Sequence, residues 1–269
     1  MTSVDDVILI TGASAGIGRA CADRMHSRGW KVIGASRRGT SSGGWVPVVM
    51  DVDSDSSVDT GISMLLSEHN RLDAVVACAG WGLAGAVEQT PIADAREQLE
   101  TNFWGAVRVV QRALPVMRRQ RHGRIVLISS IGGIVAIPFQ AFYSASKFAM
   151  EGYGEALAYE VAPFNVHVTL VEPGNVRTEF TERRRDVGAP TGDDSYARAV
   201  TRAIDVMATD EANGVRPDRV AAVVQKVLEA SNPPRRISVG KFDERIGIMA
   251  KRIMPYRLFE RAAKGSLGV

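Results

Sequence analysis

The sequence predicts an α/β fold with one doubly wound parallel sheet and helices on both of its faces. Short apolar runs typical of strands alternate along the chain with longer segments whose apolar residues recur at helical spacing. A glycine-rich turn joins the first apolar run to the first helical segment. The 269 residues suit a single domain, for which 45% apolar and 23% charged residues are ordinary.

The apolar runs predict seven strands in chain order, near residues 6–10, 31–35, 46–50, 73–77, 124–128, 166–171 and 236–239. Helical apolar spacing predicts helices between them, near residues 16–28, 55–68, 92–120, 142–162 and 216–231. Right-handed crossovers then place a ligand site outside the carboxyl ends of the strands, where the strand order reverses.

Two segments depart from this alternation. Residues 179–215 are polar with a short helical pattern inside, and such a long polar excursion predicts a functional loop. The tail, residues 241–269, has apolar residues at helical spacing among basic ones. It is predicted to dock on the domain, to pack against another subunit or to lie on a membrane surface. No linker or repeat interrupts the chain, so all of residues 1–269 are assigned to one domain.

Tyr143 and Lys147 stand four residues apart at the start of a predicted helix, so both side chains share one face. A free phenol, with a pKa of about 10, is a poor base near neutrality. A nearby ammonium favours the phenolate and lowers that pKa. Ser130, at the end of an apolar run, is placed to hydrogen-bond a substrate oxygen. The pattern indicates proton transfer on an alcohol or carbonyl group, although a surface Tyr–Lys pair has the same spacing.

The turn between the first strand and the first helix follows Thr11 and has glycines at Gly12, Gly16 and Gly18. Such a turn lets the backbone approach a pyrophosphate and directs the helix N-terminus at it. The spacing GxxxGxG differs from GxGxxG, the commonest dinucleotide fingerprint. An ordinary tight turn is the alternative, but the strand–turn–helix context favours dinucleotide binding.

The end of the second predicted strand indicates which dinucleotide binds. Folds that use NAD place an acidic residue there, which accepts hydrogen bonds from the ribose 2′-hydroxyl. Residues 34–39 contain no carboxylate; Ser36 takes the usual acid position, and Arg37 and Arg38 follow it. Because a guanidinium group suits a phosphate, the pattern favours NADP(H) over NAD(H), and with it the reducing direction. Two ordinary loop arginines are the alternative.

Taken in order, these landmarks resemble those of the short-chain dehydrogenase/reductase family over about residues 5–180. The resemblance rests on the TGxxxGxG turn, the YxxxK pair, Ser130 thirteen positions before Tyr143, and the PGxVxT segment that begins at Pro173. Asp51, Asn102 and the strand end at residues 77–80 also match, although Cys78 stands where the family usually has an asparagine.

The resemblance implies a catalytic set of Asn102, Ser130, Tyr143 and Lys147. Tyr143 would exchange a proton with the substrate oxygen, Ser130 would hydrogen-bond that oxygen, and Lys147 would lower the tyrosine pKa. Asn102 would hold a water that connects Lys147 to solvent. The implied cofactor contacts are Gly12, Ser14, Gly16, Ile17, Gly18, Arg37, Arg38, Asp51, Val52, Ala79, Gly80, Tyr143, Lys147, Pro173, Gly174, Val176 and Thr178.

Family members commonly pair through two long helices, which correspond to residues 92–120 and 142–162. The resemblance therefore implies a homodimer or homotetramer. Five apolar residues on these helices could form the interface, or could instead belong to the core: Phe103, Trp104, Val107, Phe148 and Tyr153.

Apolar residues around the catalytic segment predict a small hydrophobic ketone, aldehyde or alcohol as substrate: Trp81, Leu83, Ile134, Val135, Ile137, Phe139 and Phe142. Residues 137–180 also resemble, more loosely, the branch that contains 17β-hydroxysteroid and retinol dehydrogenases. Two alternatives remain: a reductase of carrier-bound β-ketoacyl groups, and a non-enzymatic regulator that senses the cofactor. The intact catalytic set favours an enzyme over the regulator.

Other function classes find no support in the sequence. Scattered histidines without ligand spacing argue against a metal site. The basic runs 118–122 and 183–185 lack interleaved aromatics, which argues against nucleic acid. No apolar stretch reaches the roughly 20 residues that span a bilayer, and the start of the chain does not resemble a signal peptide. With only Cys21 and Cys78, expected as reduced thiols, the protein is expected to be cytoplasmic.

Overall fold

The computed structural model describes residues 6–41, 43–187 and 196–266. Its strands are β1 (Val7–Thr11), β2 (Lys31–Ser36), β3 (Val46–Val49), β4 (Ala74–Ala77), β5 (Leu83–Ala84), β6 (Gly123–Ile128), β7 (Val166–Pro173), β8 (Arg185–Asp186) and β9 (Arg236–Val239). Its α-helices are α1 (Gly16–Ser27), α2 (Asp55–His69), α3 (Ile92–Leu99), α4 (Gly105–Gln120), α5 (Ala141–Val161), α6 (Phe180–Arg183), α7 (Ala197–Ala212), α8 (Pro217–Glu229), α9 (Phe242–Ile253) and α10 (Tyr256–Ser266).

Seven strands form one parallel sheet in the order β3-β2-β1-β4-β6-β7-β9. Ile10 of β1 lies opposite Gly34 of β2 on one side and opposite Val76 of β4 on the other. The order reverses at β1, since the chain moves outward to β3 and then returns to β4 on the other side. The predicted doubly wound sheet is confirmed. The carboxyl ends of β1 and β4 therefore border the crevice where such sheets bind ligands.

Each face of the sheet has its own apolar core, because successive side chains of a strand point to opposite faces. Leu9 of β1 packs on one face among residues of α2, α4 and α5, such as Val109. Ile10 packs on the other face with Met25 of α1 and Val224 of α8. The predicted placement of helices on both faces is confirmed. Assignment of all 269 residues to one domain stays a prediction.

The predicted long helix at residues 92–120 consists of three consecutive segments. Helix α3 is followed by a wider π-helical turn, Glu100–Trp104, and then by α4. Such turns occur often at functional sites, and this one contains Asn102. Apolar spacing does not distinguish a single wider turn from a continuous α-helix, so the sequence did not predict it.

The predicted loop at residues 179–215 contains α6, β8 and α7, while residues 188–195 lie outside the described residues. Strand β8 pairs with β5 in a separate two-stranded parallel sheet, with Leu83 opposite Arg185. Strands of two residues are too short to show a periodicity, which is why the sequence did not predict this sheet.

Two helices, α9 and α10, form the described part of the tail. Among the described residues, no helix is long and apolar enough to cross a bilayer.

Candidate active site

A cleft of about 1020 Å³ opens at the carboxyl ends of the central strands. The structure places all the catalytic and cofactor residues predicted from the sequence along its walls: Gly12, Ser14, Gly16, Ile17, Gly18, Arg37, Arg38, Asp51, Val52, Ala79, Gly80, Asn102, Ser130, Tyr143, Lys147, Pro173, Gly174, Val176 and Thr178. The fold thus brings residues that are far apart in the sequence into one site.

The glycine-rich turn between β1 and α1 forms one wall of the cleft. Gly12 has a φ of +67° and Gly16 a φ of +51°, a left-handed conformation that favours glycine. A Cβ atom at Gly18 would lie 2.4 Å from the carbonyl oxygen of Gly12. The turn is therefore packed against the start of α1 so closely that no side chain fits at Gly18.

Thr11 supports the end of β4, a role that the sequence did not predict. Its Oγ1 accepts hydrogen bonds from the main-chain N–H groups of Cys78 (3.0 Å) and Ala79 (3.1 Å). Main-chain contacts of this kind do not require an asparagine at position 78. Burial raises the pKa of the Cys78 thiol to about 12, so the side chain is uncharged near neutrality. Cys21 is buried, and neither Cys21 nor Cys78 is in a disulfide.

Ser130, Tyr143 and Lys147 meet where β6 ends and α5 begins. The Ser130 Oγ accepts a hydrogen bond from the Gly132 N–H at 3.0 Å and donates one to the Pro173 carbonyl oxygen at 3.4 Å. The Lys147 ammonium lies 5.8 Å from the centroid of the Tyr143 ring. A phenol, a hydroxyl and an ammonium therefore border the same part of the cleft.

The two titratable groups of this set have strongly shifted pKa values. Burial raises the pKa of Tyr143 to about 12, although a hydrogen bond from Ser130 acts to lower it. Burial lowers the pKa of Lys147 to about 8. The expected lowering of the tyrosine pKa is thus wrong for this structure. The physical reason is that desolvation of the phenolate dominates, while the Lys147 Nζ is directed at the Ile128 carbonyl oxygen, 2.9 Å away.

Asn102 lies fully buried in the π-helical turn. Its Oδ1 accepts a hydrogen bond from the Trp81 N–H, and its Nδ2 donates to the Trp81 carbonyl oxygen, both at 3.0 Å. Nδ2 also donates to the Ser146 Oγ at 3.3 Å. The side chain of Asn102 is therefore occupied in tying the segment after β4 to α5.

The opposite end of the cleft is basic. Arg37 and Arg38 are exposed after β2, and the Arg38 Nη2 donates a hydrogen bond to the Ser14 Oγ at 2.9 Å. Ser36 is buried and accepts a hydrogen bond from the Gly39 N–H at 3.2 Å. This end of β2 thus presents two guanidinium groups, one of them held against the glycine-rich turn.

Only part of the predicted apolar wall faces the cleft. Trp81 and Ile137 line it. Leu83 is 2% exposed in β5, and Phe139 packs against a small cluster that includes Met207 of α7.

The apolar residues that line the cleft and that the sequence missed include Ile131, Phe180 and Met207. The Phe180 ring centroid lies 5.8 Å from that of Tyr143. Phe180 and Met207 belong to the predicted loop, whose polar composition conceals them.

Charged residues at the rim of the cleft were also missed. The Arg185 guanidinium lies 4.8 Å from the centroid of a Trp81 ring and pairs with Asp94 at 2.8 Å and Glu97 at 2.9 Å. Glu211 of α7 lines the cleft and is paired at 3.2 Å with Arg184, whose side chain is buried. These ion pairs fasten the segment after β7 to α3 and α7.

Comparison with known proteins identifies the family of this chain. The model of the short chain dehydrogenase family matches residues 6–187. The chain belongs to this family. It is therefore an oxidoreductase that uses a nicotinamide cofactor, as the sequence predicted.

Two relatives and one solved structure show the similarity across nearly the whole chain. A 3-ketodihydrosphingosine reductase from Bacteroides thetaiotaomicron is 39% identical over 260 residues, which cover 96% of each protein. Retinol dehydrogenase 8 from Bos taurus is 34% identical, covering 88% of this chain and 82% of that protein. It confirms the looser likeness to the branch containing retinol dehydrogenases. A short-chain dehydrogenase from Streptomyces avermitilis superimposes with a TM-score of 0.83 at 30% identity, over 98% of this dehydrogenase and 99% of that chain.

No group of three or more metal-ligating side chains occurs within the described ranges 6–41, 43–187 and 196–266.

Proposed function

We propose that this short-chain dehydrogenase reduces a hydrophobic ketone or aldehyde to its alcohol with NADPH, using Tyr143 as the proton donor. The observation that carries the proposal is the grouping of Ser130, Tyr143 and Lys147 in one part of the cleft. A cofactor-sensing regulator could use the same fold, but it would have no need of a phenol, a hydroxyl and an ammonium beside the nicotinamide.

The cleft fits NADPH. Gly12, Gly16 and Gly18 give a pyrophosphate close access to the first turn of α1, and Arg37 and Arg38 suit the 2′-phosphate. Bound there, NADPH supplies the hydride that reduces the carbonyl carbon. The other proposed cofactor contacts are Ser14, Ile17, Asp51, Val52, Ala79, Gly80, Pro173, Gly174, Val176 and Thr178.

The side chains of the catalytic set handle the proton. Ser130 donates a hydrogen bond to the carbonyl oxygen and stabilises the negative charge that develops on it. Tyr143 then gives its phenolic proton to the same oxygen. With its pKa raised to about 12, the phenol keeps its proton at neutral pH, which suits reduction better than oxidation. Lys147 binds the nicotinamide ribose, and a water held by Asn102 connects Lys147 to solvent and so returns a proton to the site.

The substrate is proposed to be long and apolar with a single reactive carbonyl group. Trp81, Ile131, Ile137, Phe180 and Met207 line the cleft on the side of the catalytic set. The relatives named for 3-ketodihydrosphingosine and retinol support this choice, since both names denote carbonyl–alcohol chemistry on long apolar molecules. A carrier-bound acyl group remains the alternative. Arg185 is already paired with Asp94 and Glu97, but the exposed Arg183 also lines the cleft and could meet an acidic carrier.

A substrate panel tests the proposed function. The panel contains a long-chain 3-ketone, retinal, a steroid ketone, a β-ketoacyl thioester and a small aromatic ketone, each with NADPH. We expect the highest kcat/KM with a long-chain or polycyclic apolar carbonyl compound. A preference for the acyl thioester would instead indicate a reductase of carrier-bound acyl groups. If no compound of the panel causes NADPH to be oxidised, the proposal is contradicted.

Replacing Arg37 with aspartate should weaken NADPH binding much more than NADH binding. Loss of one charge-assisted hydrogen bond costs about 1.5–3 kcal/mol, or about 10- to 150-fold in affinity. Kd values for both cofactors are obtained by titrating the nicotinamide fluorescence. Arg118→Asp, which makes the same change in charge at an exposed position near the end of α4, serves as the control. Tighter binding of NADH than of NADPH by the wild-type protein would contradict the assignment.

The rate of ketone reduction should fall as the pH rises through about 8. Burial lowers the pKa of Lys147 to about 8, so its ammonium form predominates below that pH and the neutral amine above it. A plot of kcat/KM against pH should show a basic limb that falls about tenfold per unit. In Lys147→Arg the side chain stays protonated, so any residual activity should lack this limb. If kcat/KM of the wild type stays constant up to about pH 10, the Lys147 ammonium has no role in the reaction.

We propose a homodimer or homotetramer that forms through α4 and α5. Trp104 and Phe148 support it, because Trp104, just before α4, is 49% exposed and Phe148, on α5, is 41% exposed. Val107 is buried, and the Phe103 ring packs edge-on against the Tyr153 ring, with the centroids 6.0 Å apart. These three residues therefore pack within the subunit and are not proposed for the interface. Light scattering at micromolar concentration should show more than one chain per particle, and a monomer would contradict the proposed assembly.

A further inference from the structure

Helix α9 is attached to the rest of the protein by one face. The Glu244 carboxylate accepts a hydrogen bond from the Asn175 N–H at 2.9 Å. Ile248 is buried, and the Lys251 ammonium donates to the Ile134 carbonyl oxygen. The three α9 residues are spaced by four and three positions, so they form a single face. Because Asn175 lines the cleft, this face fixes α9 beside the site.

The other face of α9 is apolar and exposed. Phe242 is 78% exposed, Ile246 48%, Met249 65% and Ile253 80%. Their spacing of four, three and four positions makes one continuous stripe, named here the α9 stripe. A helix on a globular domain ordinarily turns its apolar stripe inward. Since α9 turns this one outward, the stripe indicates a surface that binds a partner.

The tail that carries the α9 stripe is basic. Residues 241–269 contain seven basic residues (Lys and Arg) and three acidic ones (Asp and Glu). Residues 1–240 contain 26 basic and 27 acidic residues. The net positive charge of the whole protein therefore comes from the tail. Arg245, Arg257, Arg261 and Lys264 are exposed on α9 and α10. Apolar residues flanked by basic ones complement the surface of a lipid bilayer, in which anionic headgroups cover the apolar acyl chains.

A second copy of the chain fits this surface less well. In a two-fold symmetric interface the same surface patch of both chains is buried against its copy. Two tails of the same net positive charge would then be brought close together, and like charges oppose association. An anionic bilayer has the opposite charge and accepts the apolar side chains among its acyl chains.

We propose that the α9 stripe and the basic residues of the tail dock the protein on a bilayer that contains anionic lipids. The helix lies in the plane of the bilayer surface, with the α9 stripe in the boundary between headgroups and acyl chains. The face with Glu244 and Lys251 stays on the protein and keeps the cleft beside the bilayer. Docking is independent of which cofactor or substrate the cleft takes.

Sedimentation with vesicles tests the docking without any measurement of activity. The full chain is mixed with vesicles of phosphatidylcholine and phosphatidylglycerol, or of phosphatidylcholine alone, at low and high salt. We expect binding to the mixed vesicles at low salt, weaker binding at high salt, and little binding to phosphatidylcholine alone. Met249→Glu should reduce the partition coefficient by about tenfold or more, because it places a carboxylate in the stripe.

Met64→Glu is the matched control, since Met64 is 59% exposed on α2, away from the tail. It should bind mixed vesicles as the wild type does. Should Met249→Glu fail to fold by circular dichroism, Ile253→Gln at the end of the stripe replaces it. Absence of wild-type binding to mixed vesicles, equal binding to both kinds, or equal loss in Met64→Glu would overturn the proposal. The proposal would also be overturned if the wild type does not bind vesicles and the Met249→Glu variant forms smaller particles than the wild type. The α9 stripe would then be an interface between two chains.

Discussion

Replacing Tyr143 with phenylalanine is expected to lower kcat for ketone reduction by at least about 100-fold, since positioned proton transfer contributes about 10²–10⁴-fold. The substitution keeps the ring and its edge contact with Phe180, whose centroid is 5.8 Å away. It removes the proton that the substrate oxygen receives. The fold and the affinity for NADPH should therefore survive. Single-turnover rates at saturating NADPH, together with the Kd for NADPH, separate the loss of chemistry from loss of binding.

Tyr153→Phe is the matched control for this experiment. Tyr153 lies on the same helix α5, and burial raises its pKa to about 12 as well. It packs against Phe103, so removal of its hydroxyl should leave kcat unchanged. A Tyr143→Phe enzyme that retains a rate within about tenfold of the wild type would show that another group donates the proton.

Replacing Gly18 with alanine is expected to lower kcat/KM by about 100-fold, the cost of a misplacement of about 1 Å in a positioned site. The added Cβ would lie 2.4 Å from the Gly12 carbonyl oxygen and 3.1 Å from that of Thr11. Both oxygens are main-chain atoms that cannot rotate away as a side chain would, so the turn itself must shift. NADPH affinity and the melting temperature should both fall, as fluorescence titration and circular dichroism would show.

Gly247→Ala is the control for the second experiment. Gly247 also lies inside a helix, α9, and a Cβ atom there meets nothing within 4 Å. Alanine favours a helix over glycine by up to about 1 kcal/mol, so this variant should melt at the same or a higher temperature. If Gly18→Ala keeps the wild-type affinity for NADPH, the glycine-rich turn does not hold the cofactor.

The sheet could be predicted from the sequence because its physical signal is local. Strands buried on both faces, such as β1, read as nearly continuous apolar runs. The turn at Gly12 and the pair at Tyr143 and Lys147 were visible because their spacing is short. Residues from separate strand ends then met in one cleft as the parallel topology requires.

What the sequence did not reveal depends on contacts between distant segments. Thr11 was visible as part of the turn, but its hydrogen bonds to Cys78 and Ala79 cross between neighbouring strands. Phe180 and Met207 reach the cleft from a segment whose composition is polar. The high pKa of Tyr143 arises from burial, which residue spacing does not show. Spacing showed only the nearby ammonium, which on its own would favour the phenolate and lower the pKa.

Transfer of deuterium from NADPH to the substrate tests the central claim most directly. The wild-type protein is incubated with NADPH deuterated at the transferable position of the nicotinamide and with the best ketone of the panel. The alcohol is then analysed by mass spectrometry. Direct reduction predicts an alcohol with one deuterium on the carbinol carbon, formed in an amount equal to the NADPH consumed. It also predicts that Tyr143→Phe binds the same NADPH and forms almost none of this alcohol. NADPH that binds without any labelled alcohol being formed, or labelled alcohol formed equally fast by Tyr143→Phe, would contradict the proposed reaction.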